Sequence, residues 1–238
     1  LHATAGVPVK STWLAAIKRG AYTPWPGLTH TLVACYCPDA DETHMGHMAQ
    51  PCQHIRSTKP RSPPPARTPL HPPAFGANMV ELHEIPLTHI FTDDTGRFHP
   101  RTRSGNQYIM VALHSSNAIL IRPFASKLDG HCIAAYQDLH ARLVPAGQAP
   151  AHHVLDNEAS QAFLQAIQAN NCTYRLVPPH VHRWNTAKWA ICTFKDHFLA
   201  ILAGTAPSFL AGRWDLLLPQ AELTLDTAKP SAWEPMST

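Results

Sequence analysis

The residues best suited to chemistry are acidic groups that end β-rich stretches. Ile85-Pro86-Leu87-Thr88-His89-Ile90-Phe91-Thr92-Asp93 runs extended into Asp93 and Asp94, and His152-His153-Val154-Leu155-Asp156 ends in the same way before Asn157-Glu158. A third stretch, from Val177 to Ile191, leaves a β-rich segment, turns through Pro178-Pro179-His180 and enters a helix. At helical spacing Lys188, Cys192 and Lys195 fall on one face of that helix. Carboxylates delivered by separate elements can converge on divalent cations, which activate an attacking oxygen and stabilise a leaving one. Either aspartate motif alone reads as a solvated strand-end carboxylate. Neighbouring side chains on a strand point to opposite faces, so Asp94 is not expected to share a site with Asp93.

A second group of possible ligands comes earlier: Cys35, Cys37, His44, His47, Cys52 and His54. Structural zinc sites usually space their paired cysteines by about two to four residues, and here Cys-x-Cys precedes His-x-x-His. The spacing therefore favours a loosely ordered connecting segment over a zinc module.

The elements that must position these groups follow from periodicity and turn chemistry. Ser11 to Lys18 has a Ser or Thr cap and a short apolar face, which predicts a helix ended by Gly20, and Trp25-Pro26-Gly27 marks a turn. From Ser57 to Phe75 the chain is basic and Pro-rich, as expected of an extended linker. After the first strand, Gln107–Leu113 and Ala118–Phe124 read as two more, separated by Ser115-Ser116-Asn117. Ile133, Tyr136, Leu139 and Leu143 then space as a helix. Ser160 is placed to cap another helix through Phe163, Leu164 and Ile167. Tyr174–Val177 is a fifth strand, and a helix over 186–203 follows.

This β-β-β-α-β-α-β-α order predicts an α/β fold, a mixed five-stranded sheet with flanking helices of the ribonuclease H-like kind. The expected divisions are 1–56 as an upstream segment, 57–78 as linker, 79–206 as core and 207–238 as a helical extension around Trp214–Gln220.

The totals set outer limits. Of 238 residues, 45% are apolar, enough for a core, and only 15% are charged. The net charge of +3 permits nucleic-acid binding without arguing for it. Six scattered cysteines show no disulfide framework and fit a reducing compartment, nucleus or cytoplasm. No apolar run is long enough to span a bilayer, so no membrane partner is expected. The start at Leu1 is what a fragment of a longer polyprotein would show. No Gly-rich phosphate loop or Gly-x-Ser-x-Gly elbow occurs, which argues against nucleotide-fuelled and serine-hydrolase chemistry.

Three motifs together resemble the catalytic core of retroviral and LTR-retrotransposon integrases. Thr92-Asp93-Asp94-Thr95-Gly96-Arg97-Phe98 looks like the first motif, Leu155-Asp156-Asn157-Glu158-Ala159-Ser160 like the second, and Pro178-Pro179-His180-Val181-His182-Arg183 like the approach to the third. The resemblance covers roughly 82–231 and, more weakly, the first region. It implies DNA as partner, self-association into a homo-oligomer, and Mg²⁺ or Mn²⁺ held by Asp93, Asp156 and a helical glutamate. That glutamate's position, 32 residues after Asp156, holds Lys188. Lysine there removes a ligand and adds a cation where two cations should sit, and each unit of charge at about 4 Å is worth roughly 4 kcal/mol at an effective dielectric of about 20. The expectation is an ammonium that pairs with Asp93 and Asp156, occupies the metal position and leaves a core inactive in strand transfer.

The resemblance also assigns His180, His182, Arg183, Asn185 and Lys195 to nucleic-acid contact. Trp184, Trp189 and Cys192 stand where arginine is usual and Thr186 where alanine is. Each change, like glutamate to Lys188, is one base transition away, the mark of a decayed copy. The rival expectations are a non-catalytic nucleic-acid-binding or assembly remnant on the same fold, and an active nuclease with a rearranged metal site that recruits Glu158.

Overall fold

The computed structural model describes residues 1–37, 39–48, 88–177 and 186–229. The Pro-rich linker expected at 57–78 lies outside them. The first helix, α1 (Lys10–Lys18), begins at Lys10 after Val9, so Ser11 and Thr12 sit inside its first turn and supply no side-chain cap. Its end is as expected: Gly20 takes φ +86°, and the amides of Gly20 and Ala21 close on the carbonyls of Ile17 and Ala16. Two seven-residue helices follow, α2 (His30–Tyr36), capped by the Thr29 hydroxyl, and α3 (Asp41–His47).

The sheet contains β1 (His89–Asp94), β2 (Tyr108–His114), β3 (Ile119–Phe124), β4 (His152–Leu155) and β5 (Thr173–Leu176). Its order is β3-β2-β1-β4-β5. The first three strands pair antiparallel, and β4 and β5 are added parallel to β1. The parallel additions need crossovers, made by α4 (Asp129–Leu143) and α5 (Gln161–Ala169). Ser160 caps α5 as its sequence implies, its hydroxyl accepting from Phe163 N at 3.2 Å. After β5 the long helix α6 (Ala187–Ala203) completes the ribonuclease H-like order expected from the sequence.

Alternation along the strands divides the interior in two. Ile90, Met110, Ala112 and Leu120 face α4 and α5, packing on Tyr136, Leu139, Leu143, Phe163 and Ile167. Ile109, Val111, Leu113, Ile119 and Ile121 face the other way, onto Ile191, Phe194 and Phe198 of α6. Each large apolar side chain so buried is worth about 1.5–3 kcal/mol relative to exposure.

The helix expected from Trp214 is divided. A 3₁₀ stretch, Ala211–Leu217, buries Trp214, and α7 (Leu218–Ala228) starts afresh with Pro219 in its first turn, where the missing amide costs nothing. Leu218, Ala221 and Leu225 of α7 join the cluster beneath α6. Along the sheet edge, Glu222 Oε2 accepts from Ile121 N at 2.9 Å and Asp226 Oδ1 from Ile119 N at 3.0 Å, so helical carboxylates satisfy amides that no strand pairs.

Residues 39–48 are not the loose connector that the ligand spacing suggests. A Cβ at Gly46 would stand 2.5 Å from the Asp196 carbonyl oxygen and 2.7 Å from the Ala200 Cβ, so α3 and α6 cross backbone to backbone. Arg19 donates to the carbonyls of Thr227 and Ala228, closing the end of α7, and Trp13, Tyr22 and Val33 form a small core of their own.

Candidate functional site

The two aspartates meet because of strand register. In the parallel pair, His89 lies opposite His152, Ile90 opposite His153 and Phe91 opposite Val154. Carrying that register forward sets Thr92 beside Leu155 and Asp93 beside Asp156, just past the last registered pair. Asp93 belongs to the strand face that carries Phe91 toward α6, and Asp94 to the face of Ile90 toward α4. Their side chains thus diverge as strand alternation requires, although both line one cleft of about 210 Å³ at the strand ends.

Lys188, in the first turn of α6, donates from Nζ to Asp156 Oδ2 at 3.0 Å, and Asp156 Oδ1 accepts from Asn157 N at 3.0 Å. Both oxygens of Asp156 are therefore engaged. The two side chains of the ion pair are about a third exposed, at 35% and 30%. Asp93 holds its proton more tightly than an ordinary aspartate. Burial is the main cause, opposed by the Asp94 amide that donates to its Oδ1, with Asp94 and Asp156 adding to the rise and Lys188 reducing it. On the other face Lys127 Nζ lies 2.6 Å from Asp94 Oδ2, and that hydrogen bond raises the lysine's affinity for its proton.

The site therefore presents carboxylates already matched by two ammonium groups. Among the described residues no set of three His, Cys, Asp or Glu side chains is arranged to hold a metal ion. The donors expected for Mg²⁺ or Mn²⁺, Asp93 and Asp156, do not fit a divalent cation as they stand. Hard cations need several oxygen ligands, and an ammonium occupies one of the few on offer. Glu158 lines the same cleft.

Of the expected nucleic-acid contacts, Lys195 is half-buried on α6, with Cys192 exposed on the same face. His180, His182, Arg183 and Asn185 lie outside the described residues, as do Cys52 and His54. Trp189 is 55% exposed, with the Lys229 ammonium 5.3 Å from its ring centre. In the first region Cys35 is exposed, and His47 faces Asp196 at 3.7 Å rather than a cysteine.

Two features have no sequence signal: the Lys127–Asp94 pair, and a buried hydrogen bond of 2.6 Å between Thr92 Oγ1 and His153 Nε2. Both join residues far apart in the chain.

No protein-family model and no curated protein matches the chain. Solved structures do. A chain of the simian T-cell lymphotropic virus intasome in complex with PP2A regulatory subunit B56 gamma is 18% identical, with a TM-score of 0.44 over 58% of this chain and 48% of that one. The HTLV-2 integrase catalytic core domain in complex with magnesium, in its dimeric form, is 16% identical, with a TM-score of 0.45 over 64% of this chain and 90% of the other. The catalytic core domain of BIV integrase is 13% identical, with a TM-score of 0.39 over 60% and 81%.

Proposed function

We propose that this chain is an integrase-type core of an LTR retrotransposon that retains nucleic-acid binding and does not join DNA strands. The observation that carries the reading is the ion pair between Lys188 and Asp156, 3.0 Å long, at the converging ends of β1 and β4. Strand transfer in this family needs metal-activated oxygen, and a fixed ammonium neutralises the carboxylate that would hold the metal without supplying its open coordination positions. Self-association and descent from a decayed copy belong to the same proposal.

The experiment is strand joining on a branched DNA substrate with Mg²⁺ and with Mn²⁺, comparing this chain with Lys188→Glu. Joining by the variant alone supports a site with one lesion. Joining by the unaltered chain overturns the proposal. Joining by neither, together with salt-sensitive DNA binding, favours the binding remnant. Neither joining nor DNA binding leaves an assembly remnant.

A further inference from the structure

We infer that Thr92 and His153 are positioning residues for the acidic cleft, fixing the approach of Asp93 to Asp156 from the opposite face of the sheet. The inference rests on the reading of those two aspartates as the site. Registered pairing of β1 with β4 ends at Phe91 and Val154, one step short of the register position of Thr92 and two short of that of Asp93. Beyond the last registered pair a buried side-chain bond also links the two strands. Thr92 Oγ1 and His153 Nε2 lie 2.6 Å apart, on residues 4% and 0% exposed.

His153 is itself held on three sides. Its ring stacks on Tyr136 of α4 at 5.1 Å and 18°, meets Phe163 of α5 edge-on at 6.2 Å, and sits opposite Ile90 in the ladder. The ring is thus anchored in the packed layer and its Nε2 reaches toward the cleft. Two apolar side chains would fill this space at lower desolvation cost, since the other ring nitrogen, Nδ1, is buried with no hydrogen-bond partner among the described residues. A polar pair adds direction: a hydrogen bond has one length and one orientation, whereas apolar contact tolerates sliding. Thr92 is the residue before Asp93, so a displacement of Thr92 is a displacement of Asp93.

The test reads the Lys188 ammonium by ¹⁵N–¹H NMR in the unaltered chain, Thr92→Ser and Thr92→Val. Thr92→Ser keeps the hydroxyl and should leave the ammonium signal and its rate of solvent exchange unchanged. Thr92→Val keeps the shape, loses the hydroxyl, and should speed that exchange about two- to fivefold as the pair with Asp156 loosens, the full weight of an ion pair a third exposed. Should Thr92→Val not fold, His153→Asn, which removes the ring Nε2, gives the same reading. A valine or asparagine variant that folds, is merely less stable and keeps the ammonium signal overturns the inference, as does loss of the signal in Thr92→Ser. Because the signal belongs to the unreverted chain, the outcome does not depend on whether Lys188→Glu joins DNA.

Discussion

Lys188 Nζ lies 3.0 Å from Asp156 Oδ2, tying the first turn of α6 to the end of β4. The two residues are 32 positions apart, and the crossover through α5 and β5 brings them together. Because both side chains are about a third exposed, the bond is screened by water and its energetic weight is modest. Its chemical weight is larger, since it turns a carboxylate into half of an ion pair.

Replacing Lys188 by Met should therefore cost little stability, about 0.5–1 kcal/mol by urea unfolding at low salt. That difference should shrink in about 1 M NaCl, where exposed charges are screened. A loss that persists at high salt would show that the lysine stem, and not its charge, supports the fold.

Acid should unfold the chain through buried histidines. Burial lowers His153 to about 3 and His197 to about 4, aided by the nearby His140 and His47 respectively. Both lie below the usual 6.5, so the unfolded chain binds more protons, and the stability present above pH 6.5 is lost as pH falls toward 3–4. The urea midpoint should drop between pH 7 and pH 4.5, and His197→Gln should flatten that slope. An unchanged slope would mean that His197 is open to solvent.

Asp226 runs in the opposite sense. Burial raises it to about 6, opposed by the Ile119 amide and Lys229, so its contribution is present below about pH 4 and is lost as pH rises through 6. Asp226→Asn keeps an oxygen for the Ile119 amide and removes the buried charge. It should stabilise by about 1–2 kcal/mol at pH 8 and by little at pH 4. Asp226→Ala, which leaves the amide unpaired, should destabilise by about 1–3 kcal/mol at both.

Gly46→Ala tests whether the first region belongs to the folded body. The added methyl meets backbone atoms of α6, which cannot swing aside. The strain, about 1–3 kcal/mol, should exceed the roughly 1 kcal/mol that alanine gains over glycine in a helix. Hydrogen exchange over 41–47 should rise first. A variant as stable and as protected as the parent would mean that α3 does not pack on α6.

Local chemistry made much of this molecule legible in its sequence. β-Rich runs bounded by turn residues announce the five strands, Ser160 announces the start of α5 and Gly20 the end of α1, because each depends on a few adjacent residues. The placement of Asp93 and Asp156 at strand ends, and of Lys188 one turn into a helix, followed from the same rules. The seven-residue helices α2 and α3 did not, since so short a segment shows little periodicity and is held by packing rather than propensity. Nor did the cut between the 3₁₀ stretch and α7, or the carboxylates of α7 on the edge of β3. The resemblance led to an expected pairing of Lys188 with Asp156, whereas tertiary structure alone decided that Lys127 meets Asp94 and that Thr92 bonds to His153. Strand register and helix crossings, which sum weak contacts over the whole chain, set those distances, and an ion pair or hydrogen bond exists only within a few ångströms.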